Sequence, residues 1–181
     1  MRSTLLRLAF LLLSVSALGA AELAMHPVPL PNGAGGIGFD DMGFAPSLRK
    51  VLIPAGRSGN LDLIDPDTLA IDTIGGFSSR NDFGGGHGQG VTSADSGRGL
   101  IFATDRDARK LNVIDPKTRS IVATAPLASG PDYVRYVPDT NEVWVTEPRS
   151  GQIEVSRFRW RPRQSRRTAR SSQYREGPSR S

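Results

Sequence analysis

The chain has 181 residues with 20 Gly, 13 Pro and no Cys, and its 23 Lys and Arg against 18 Asp and Glu give a net charge of +5. That length accommodates one domain, and the missing thiol excludes a disulfide scaffold, a thiolate zinc site, a cysteine nucleophile and a c-type haem attachment. The charge is unevenly placed: from Arg157 onward nine Arg face one Glu, a local +8, whereas residues 22–156 hold 12 basic and 17 acidic residues. An acidic body with a basic tail is a different object from a uniformly basic nucleic-acid binder.

In chain order, Arg2 and Arg7 precede an apolar run at 8–18 that ends in the small residues Gly19, Ala20 and Ala21. This pattern predicts a signal peptide over 1–21, cleaved after Ala21 or Gly19, and a protein exported to the periplasm or the extracellular space. The run is shorter than the roughly 20 apolar residues of a spanning helix. No second such run follows, so the mature chain is expected to carry no transmembrane segment. Residues 22–37, including His26, read as an extended N-terminal segment.

The next signal is an internal repeat in residues 38–156, with copies near 40–75, 90–124 and 132–155. Phe44-Ala45-Pro46, Lys50-Val51-Leu52-Ile53 and Asn60-Leu61-Asp62-Leu63-Ile64-Asp65-Pro66-Asp67-Thr68 match, fifty residues on, Ala94-Asp95-Ser96, Leu100-Ile101-Phe102-Ala103 and Lys110-Leu111-Asn112-Val113-Ile114-Asp115-Pro116-Lys117-Thr118. A further shift of forty-two brings in Tyr136-Val137-Pro138, Glu142-Val143-Trp144-Val145 and Gly151-Gln152-Ile153-Glu154-Val155. A β-rich period in this range is that of propeller blades.

Within each copy the apolar runs 51–53, 101–103 and 143–145 read as second strands covered on both faces by adjoining blades. Leu61 and Leu63, Leu111 and Val113, and Ile153 and Val155 alternate with polar residues, as third strands do. The polar segments 56–59, 106–109 and 148–151 are hairpin tips. After the third strand, Asp-Pro-x-Thr at 65–68 and 115–118 is a turn in which Pro presets φ and Asp bonds back to the backbone. Outer strands are expected over 69–74 and 120–124.

With its Ile-Asp-Pro-x-Thr turn, the repeat resembles the YVTN-type β-propeller repeat of the secreted seven-bladed group related to haem d1 and lactonase-like propellers. The resemblance covers residues 38–155 and implies an all-β fold, a partial β-propeller of about two and a half four-stranded blades. It specifies fold far better than reaction, because the repeated residues are turns and core. The third copy departs from the pattern: after Val155 the repeat calls for an apolar residue and Asp-Pro, and the chain gives Ser156-Arg157-Phe158. The expectation is a propeller truncated or frameshifted near residue 155, followed by a disordered Arg-rich tail over 157–181. That tail, with Trp160 and Tyr174, could stack on bases and pair with phosphates, but its composition reads as a solvated basic run and no specific nucleic acid is expected.

There is no Gly-x-Ser-x-Gly elbow, His-Glu-x-x-His or P-loop, and no catalytic residue is assigned. The one unusual loop, residues 81–90, opens a strand and not a helix, so it is not a phosphate cradle. It joins the outer strand of one blade to the inner strand of the next, which brings it to the same end as the hairpin tips. Asp82 and His87 are therefore expected to converge with Arg57, Arg106, Asp107 and Arg109 at the mouth of the channel. Two readings stay open: capture of a polar ligand by this set, or a Gly-rich surface loop with a solvated His. Two candidate ligands fall short of a metal centre, and neither metal nor cofactor is expected.

The leading function is an exported, non-catalytic binding module for a small molecule or protein, with self-association through apolar blade faces around 143–145. The alternatives are a degraded lactonase-like hydrolase, which wants a calcium-type metal held by several blades, and a structural cell-surface repeat protein.

Overall fold

The computed structural model describes residues 24–159. Within them the chain is all-β: β1 (Gly43–Ala45), β2 (Lys50–Pro54), β3 (Leu61–Ile64), β4 (Ile71–Ile74), β5 (Val91–Gly97), β6 (Leu100–Asp105), β7 (Lys110–Asp115), β8 (Ser120–Pro126), β9 (Val134–Val137), β10 (Glu142–Glu147) and β11 (Gln152–Arg157). They form antiparallel sheets in the orders β1-β2-β3-β4, β5-β6-β7-β8 and β9-β10-β11, one sheet for each copy of the repeat. The signal-peptide segment and the tail from residue 160 lie outside the described residues.

The shifts of fifty and forty-two reappear in the backbone. The residue closing the first hairpin of each blade is left-handed, at Arg49 (φ 51), Gly99 (φ 76) and Asn141 (φ 56). So is the last residue of each second-to-third tip, at Gly59 (φ 71), Arg109 (φ 51) and Gly151 (φ 64). The turn after the third strand closes at Leu69 (φ 59) and Arg119 (φ 52). Left-handed residues are a standard way to close a hairpin; the second blade's first hairpin uses two in succession, Arg98 (φ 53) and Gly99, and the first blade's tip adds Gly56 (φ 41). Tertiary packing holds the non-glycine residues there against their usual preference. In the Asp-Pro-x-Thr turns, Asp65 Oδ1 accepts from the N–H groups of Asp67 and Thr68, each at 3.0 Å, and Asp115 Oδ1 accepts from Lys117 N–H at 2.9 Å. Those backbone donors hold the Asp65 carboxyl below its ordinary value.

Two layers of apolar side chains join the three blades. Leu52, Leu61, Ile74, Ile101 and Ile114 fill the first interface. Phe102, Leu111, Val134, Val143 and Val145 fill the second. Each such side chain contributes about 1.5–3 kcal/mol by leaving water. Phe102 is the centre of the second layer, stacked on Tyr136 (5.5 Å, 11°) and edge-on to Phe158 (4.9 Å, 82°). The Tyr136 ring lies over Gly97, where any Cβ would collide with it.

Four expectations need correction. Leu69 does not begin the outer strand, because its positive φ places it in the turn and β4 starts at Ile71; β8 in turn runs on to Pro126. The third copy does not break inside its third strand: β11 pairs with β10 through Arg157↔Glu142, since the ladder is made by main-chain groups and tolerates Ser156 and Arg157 where β7 has Ile114 and Asp115. Phe158 then packs on the core, and its N–H donates to Asn141 O at 2.9 Å, so residues 157 and 158 belong to the blade and not to the tail. Finally, Val143 and Val145 are each 1% exposed against the second blade, whereas Trp144 (41%), Ile153 (54%) and Val155 (48%) occupy the opposite face. Successive strand residues point to opposite faces, so the uncovered surface of the third blade is this second set.

Candidate functional site

The second-to-third hairpin tips and the inter-blade loops lie at one end of the sheets, and residues 75–90 are fixed there by the second blade's tip. Asp105, buried at the end of β6, accepts from Ser78 N–H at 2.7 Å and from Ala108 N–H at 3.0 Å. Glu147 holds the equivalent place on β10 and accepts from Ser129 N–H (2.9 Å), Gln152 Nε2 (2.6 Å) and Ser150 Oγ (3.3 Å). Burial alone would raise the Glu147 carboxyl, but these donors outweigh it and hold it below its ordinary value. In both blades a buried carboxylate thus ties the incoming loop to the hairpin tip.

Asp107 repeats the device at the surface. Its Oδ1 accepts from Arg80 at 2.9 Å and its Oδ2 from Gly90 N–H at 3.0 Å. The Arg80 hydrogen bond is the main reason that its carboxyl lies below the ordinary value. Gly90 (φ 61) is where the loop passes closest to its neighbours: a Cβ there would run into the carbonyls of Gly56 and Ser78. Only glycine permits both the left-handed turn and that approach.

The N-terminal segment crosses this end and completes the site. Arg57 is buried and donates from Nε to Gly36 O (2.6 Å) and from an Nη to Ala34 O (2.5 Å), so its guanidinium clamps the segment. Farther along, Asp40, with a side chain 3% exposed, lies 3.0 Å from His87 Nδ1 and 3.6 Å from an Arg106 Nη. Arg106 also donates from Nε to Pro131 O at 2.8 Å and pairs with Asp132. Asp41 accepts from Ser93 Oγ (2.6 Å) and from Arg135 (2.8 Å), linking the segment to the third blade. Burial opposes ionisation of Asp41, but Arg135 and Ser93 together hold its carboxyl below the ordinary value. Thr92, the extra residue of a bulge in β5, is fully buried and bonds Thr104 Oγ1 (3.1 Å) and Asp132 O (3.0 Å).

Of the residues singled out by sequence, His87, Arg106, Asp107 and Arg109 come together at this end. Arg106, Asp107 and Arg109 line a polar cavity of about 200 Å³ between the second and third blades, closed by Ser129, Gly130 and Arg149. Asp82 stands exposed near Arg80, whose cation it favours, and Asp40 takes the place beside His87 that Asp82 was expected to fill. Asp40, Asp132 and Arg149 were not foreseen. The Asp40-Asp41 pair just before the first strand was the available signal, but nothing periodic in the sequence announces that the segment folds back over the loop. Among the described residues no group of three or more His, Asp or Glu is arranged to hold a metal ion. Nor is there among the described residues a helix long and apolar enough to cross a membrane.

No protein-family model matches the sequence, and no curated protein matches it. Solved structures do. The β-propeller domain of Cps50 (Swd1) from Myceliophteria thermophila superposes with a TM-score of 0.51 at 10% identity, over 66% of this chain and 35% of that one. A chain of a mitotic checkpoint complex superposes with a TM-score of 0.52 at 12% identity, over 83% of this chain and 45% of that one. The fold is a partial β-propeller. The chain spans less than half the length of either structure, and at such identities the likeness concerns fold alone.

Proposed function

We propose that this chain is a segment of an exported β-propeller of the YVTN type that acts as a non-catalytic binding module, with its loop face around the channel as the binding surface. The observation that carries this reading is the network at that end. Asp40, His87, Arg106 and Asp132 come from the N-terminal segment, the first inter-blade loop, the second blade's tip and the second inter-blade loop, and they meet in one connected set of polar groups. A surface built from several loops on a rigid sheet scaffold is what recognition uses. The opposite end of each blade is occupied by its own repeated turns.

Amide chemical-shift mapping with a panel of small polar ligands and peptides tests the binding face. Shifts are expected to cluster in 80–90, 106–109 and 128–132, and binders that shift only the sheet faces or the residues of the Asp-Pro-x-Thr turns would overturn the reading. Export is tested by the N-terminus of the secreted product, expected at Glu22 or Ala20. The YVTN assignment is tested in the coding DNA beyond codon 155, where the other frames should yield further Ile-Asp-Pro-x-Thr repeats.

A further inference from the structure

We infer that the cavity between the second and third hairpin tips is a site for a small dianionic oxyanion, either a phosphate ester or a dicarboxylate. This deepens the binding-module reading and rests on it. Arg106, Arg109 and Arg149 border the cavity against a single acid, Asp107. Asp107 is already engaged, by Arg80 on one oxygen and Gly90 N–H on the other. The acids just behind the rim are engaged as well: Asp132 pairs with Arg106, Asp40 stands 3.6 Å from the same guanidinium and 3.0 Å from His87 Nδ1, and Glu147 is held by Ser129, Ser150 and Gln152. The guanidinium groups of Arg109 and Arg149, by contrast, make no hydrogen bond or ion pair among the described residues. Two unspent guanidinium forks on facing tips, with a third held rigidly behind them, present the planar donors that carboxylate and phosphate oxygens accept best.

The size and walls of the cavity narrow the ligand. About 200 Å³ is below the roughly 300–1,000 Å³ of pockets that enclose a drug-sized molecule, so the site takes a charged headgroup and leaves the remainder of a ligand outside. Gly88 and Gly130 carry no side chain into the space, and a Cβ at either would lie 3.2 Å or 3.5 Å from the Arg106 side chain. Arg106 is fixed on its far side by Pro131 O and Asp132. Its guanidinium, whose charge Asp132 and Asp40 already face, is therefore positioned before any ligand arrives, which lowers the ordering cost of binding. The uncompensated charge comes from Arg109 and Arg149.

The test uses the full chain, followed by amide chemical shifts during titration with inorganic phosphate and with succinate, each at constant ionic strength set with sodium chloride. Saturable shifts are expected at Gly88, Gly130 and Arg149, weakened roughly tenfold or more in the double variant Arg109→Gly, Arg149→Gln. Glycine is the residue that the other two blades carry at the place of Arg109, with the same left-handed φ, so the variant keeps the turn. Arg49→Gln, at the opposite end, should leave the titration unchanged. Tighter binding of phosphate assigns a phosphate ester and tighter binding of succinate a dicarboxylate. Equal titration of wild type and double variant would assign the anions to the Arg-rich tail and overturn the proposal, as would equal shifts produced by chloride alone. If both anions fail while other ligands still shift the loop face, the oxyanion site falls and the binding-module reading stands.

Discussion

Replacing Asp62 by Asn should stabilise the protein. Asp62 is fully buried on the central strand β3, directly across from Thr73, whose hydroxyl donates to its Oδ1 at 2.7 Å. Its Oδ2 is buried and has no hydrogen-bond partner. Burial raises the carboxyl above its ordinary 3.8, and the Thr73 bond offsets this only in part. An unsatisfied buried polar oxygen costs about 1–3 kcal/mol, and more when it carries charge. The amide keeps an acceptor for Thr73 and removes the charge, while its Nδ2 inherits the unpartnered place of Oδ2, so the gain comes from the charge alone; β7 already carries Asn112, buried, at the corresponding place. The expected gain for Asp62→Asn at pH 7 is about 1 kcal/mol, the part of the penalty that belongs to the charge, read as a rise of roughly 3–5 °C in Tm per kcal/mol for a unit of this size.

The sign with pH follows from linkage. Because the folded pKa of Asp62 is raised, the folded state binds the proton more tightly than the unfolded chain. Its favourable contribution is full below pH 3.8 and is lost as pH rises through the raised folded value. The advantage of Asp62→Asn should therefore be small in acid and grow toward neutrality. Denaturant unfolding of both proteins from pH 3 to 7 measures the difference, in which the other carboxylates cancel. A difference that does not change with pH, or a variant that is less stable at pH 7, would refute the reasoning.

Asp105→Ala should cost about 2–4 kcal/mol, since it strips the buried acceptor from the amides of Ser78 and Ala108; hydrogen exchange should accelerate at those two amides before it does in β6. Arg135→Gln removes the partner of Asp41 and, with Arg135 half exposed, should cost only about 0.5–1 kcal/mol, less at high salt. Because the Asp41 carboxyl is lowered, this loss should be present above its ordinary 3.8 and fade as pH falls through its depressed value. Trp144→Gln should change stability by less than about 0.5 kcal/mol while reducing self-association in sedimentation velocity, whereas Val145→Ala should cost about 1–3 kcal/mol; the opposite assignment would mean that the third blade's free face has been misread.

The sheet scaffold was legible because its signals are local and repeat. Alternation of apolar residues marks β3 and β7, and Asp-Pro-x-Thr marks the turns that follow them. The third copy falls at a different offset, forty-two against fifty, and is found by its own matching residues, Glu142-Val143-Trp144-Val145 and Gly151-Gln152-Ile153. Alternation, once applied through β10, also separates Trp144 from Val143 and Val145; treating the three as one exposed run hid that distinction. The site was only half legible. Loop 81–90 and the tips share an end by topology, so His87, Arg106 and Asp107 could be grouped from sequence. The partners that decide their chemistry come from the N-terminal segment, which has no period. Arg57 looked like a site cation because it sits on a tip; its hydrogen bonds to Gly36 and Ala34 depend on a chain crossing that no local pattern encodes.

The two ends of the blades divide the work between them. At one end the Asp65 and Asp115 turns and the left-handed residues Arg49, Gly99, Leu69 and Arg119 recur with the repeat, so sequence variation there would break a hairpin. At the other end the second and third blades need only a buried carboxylate, Asp105 or Glu147, and one left-handed residue per tip, Arg109 or Gly151. The remaining tip and loop positions are free to differ, and they do: the second blade offers Arg106, Asp107 and Arg109 where the first has Gly56, Arg57 and Gly59 and the third Pro148, Arg149 and Gly151. Constraint at one end and freedom at the other is the physical reason for placing recognition on the loop face. It also explains how Arg109 and Arg149 can stand in the cleft between the second and third tips, where no backbone group of the described residues holds their guanidinium groups.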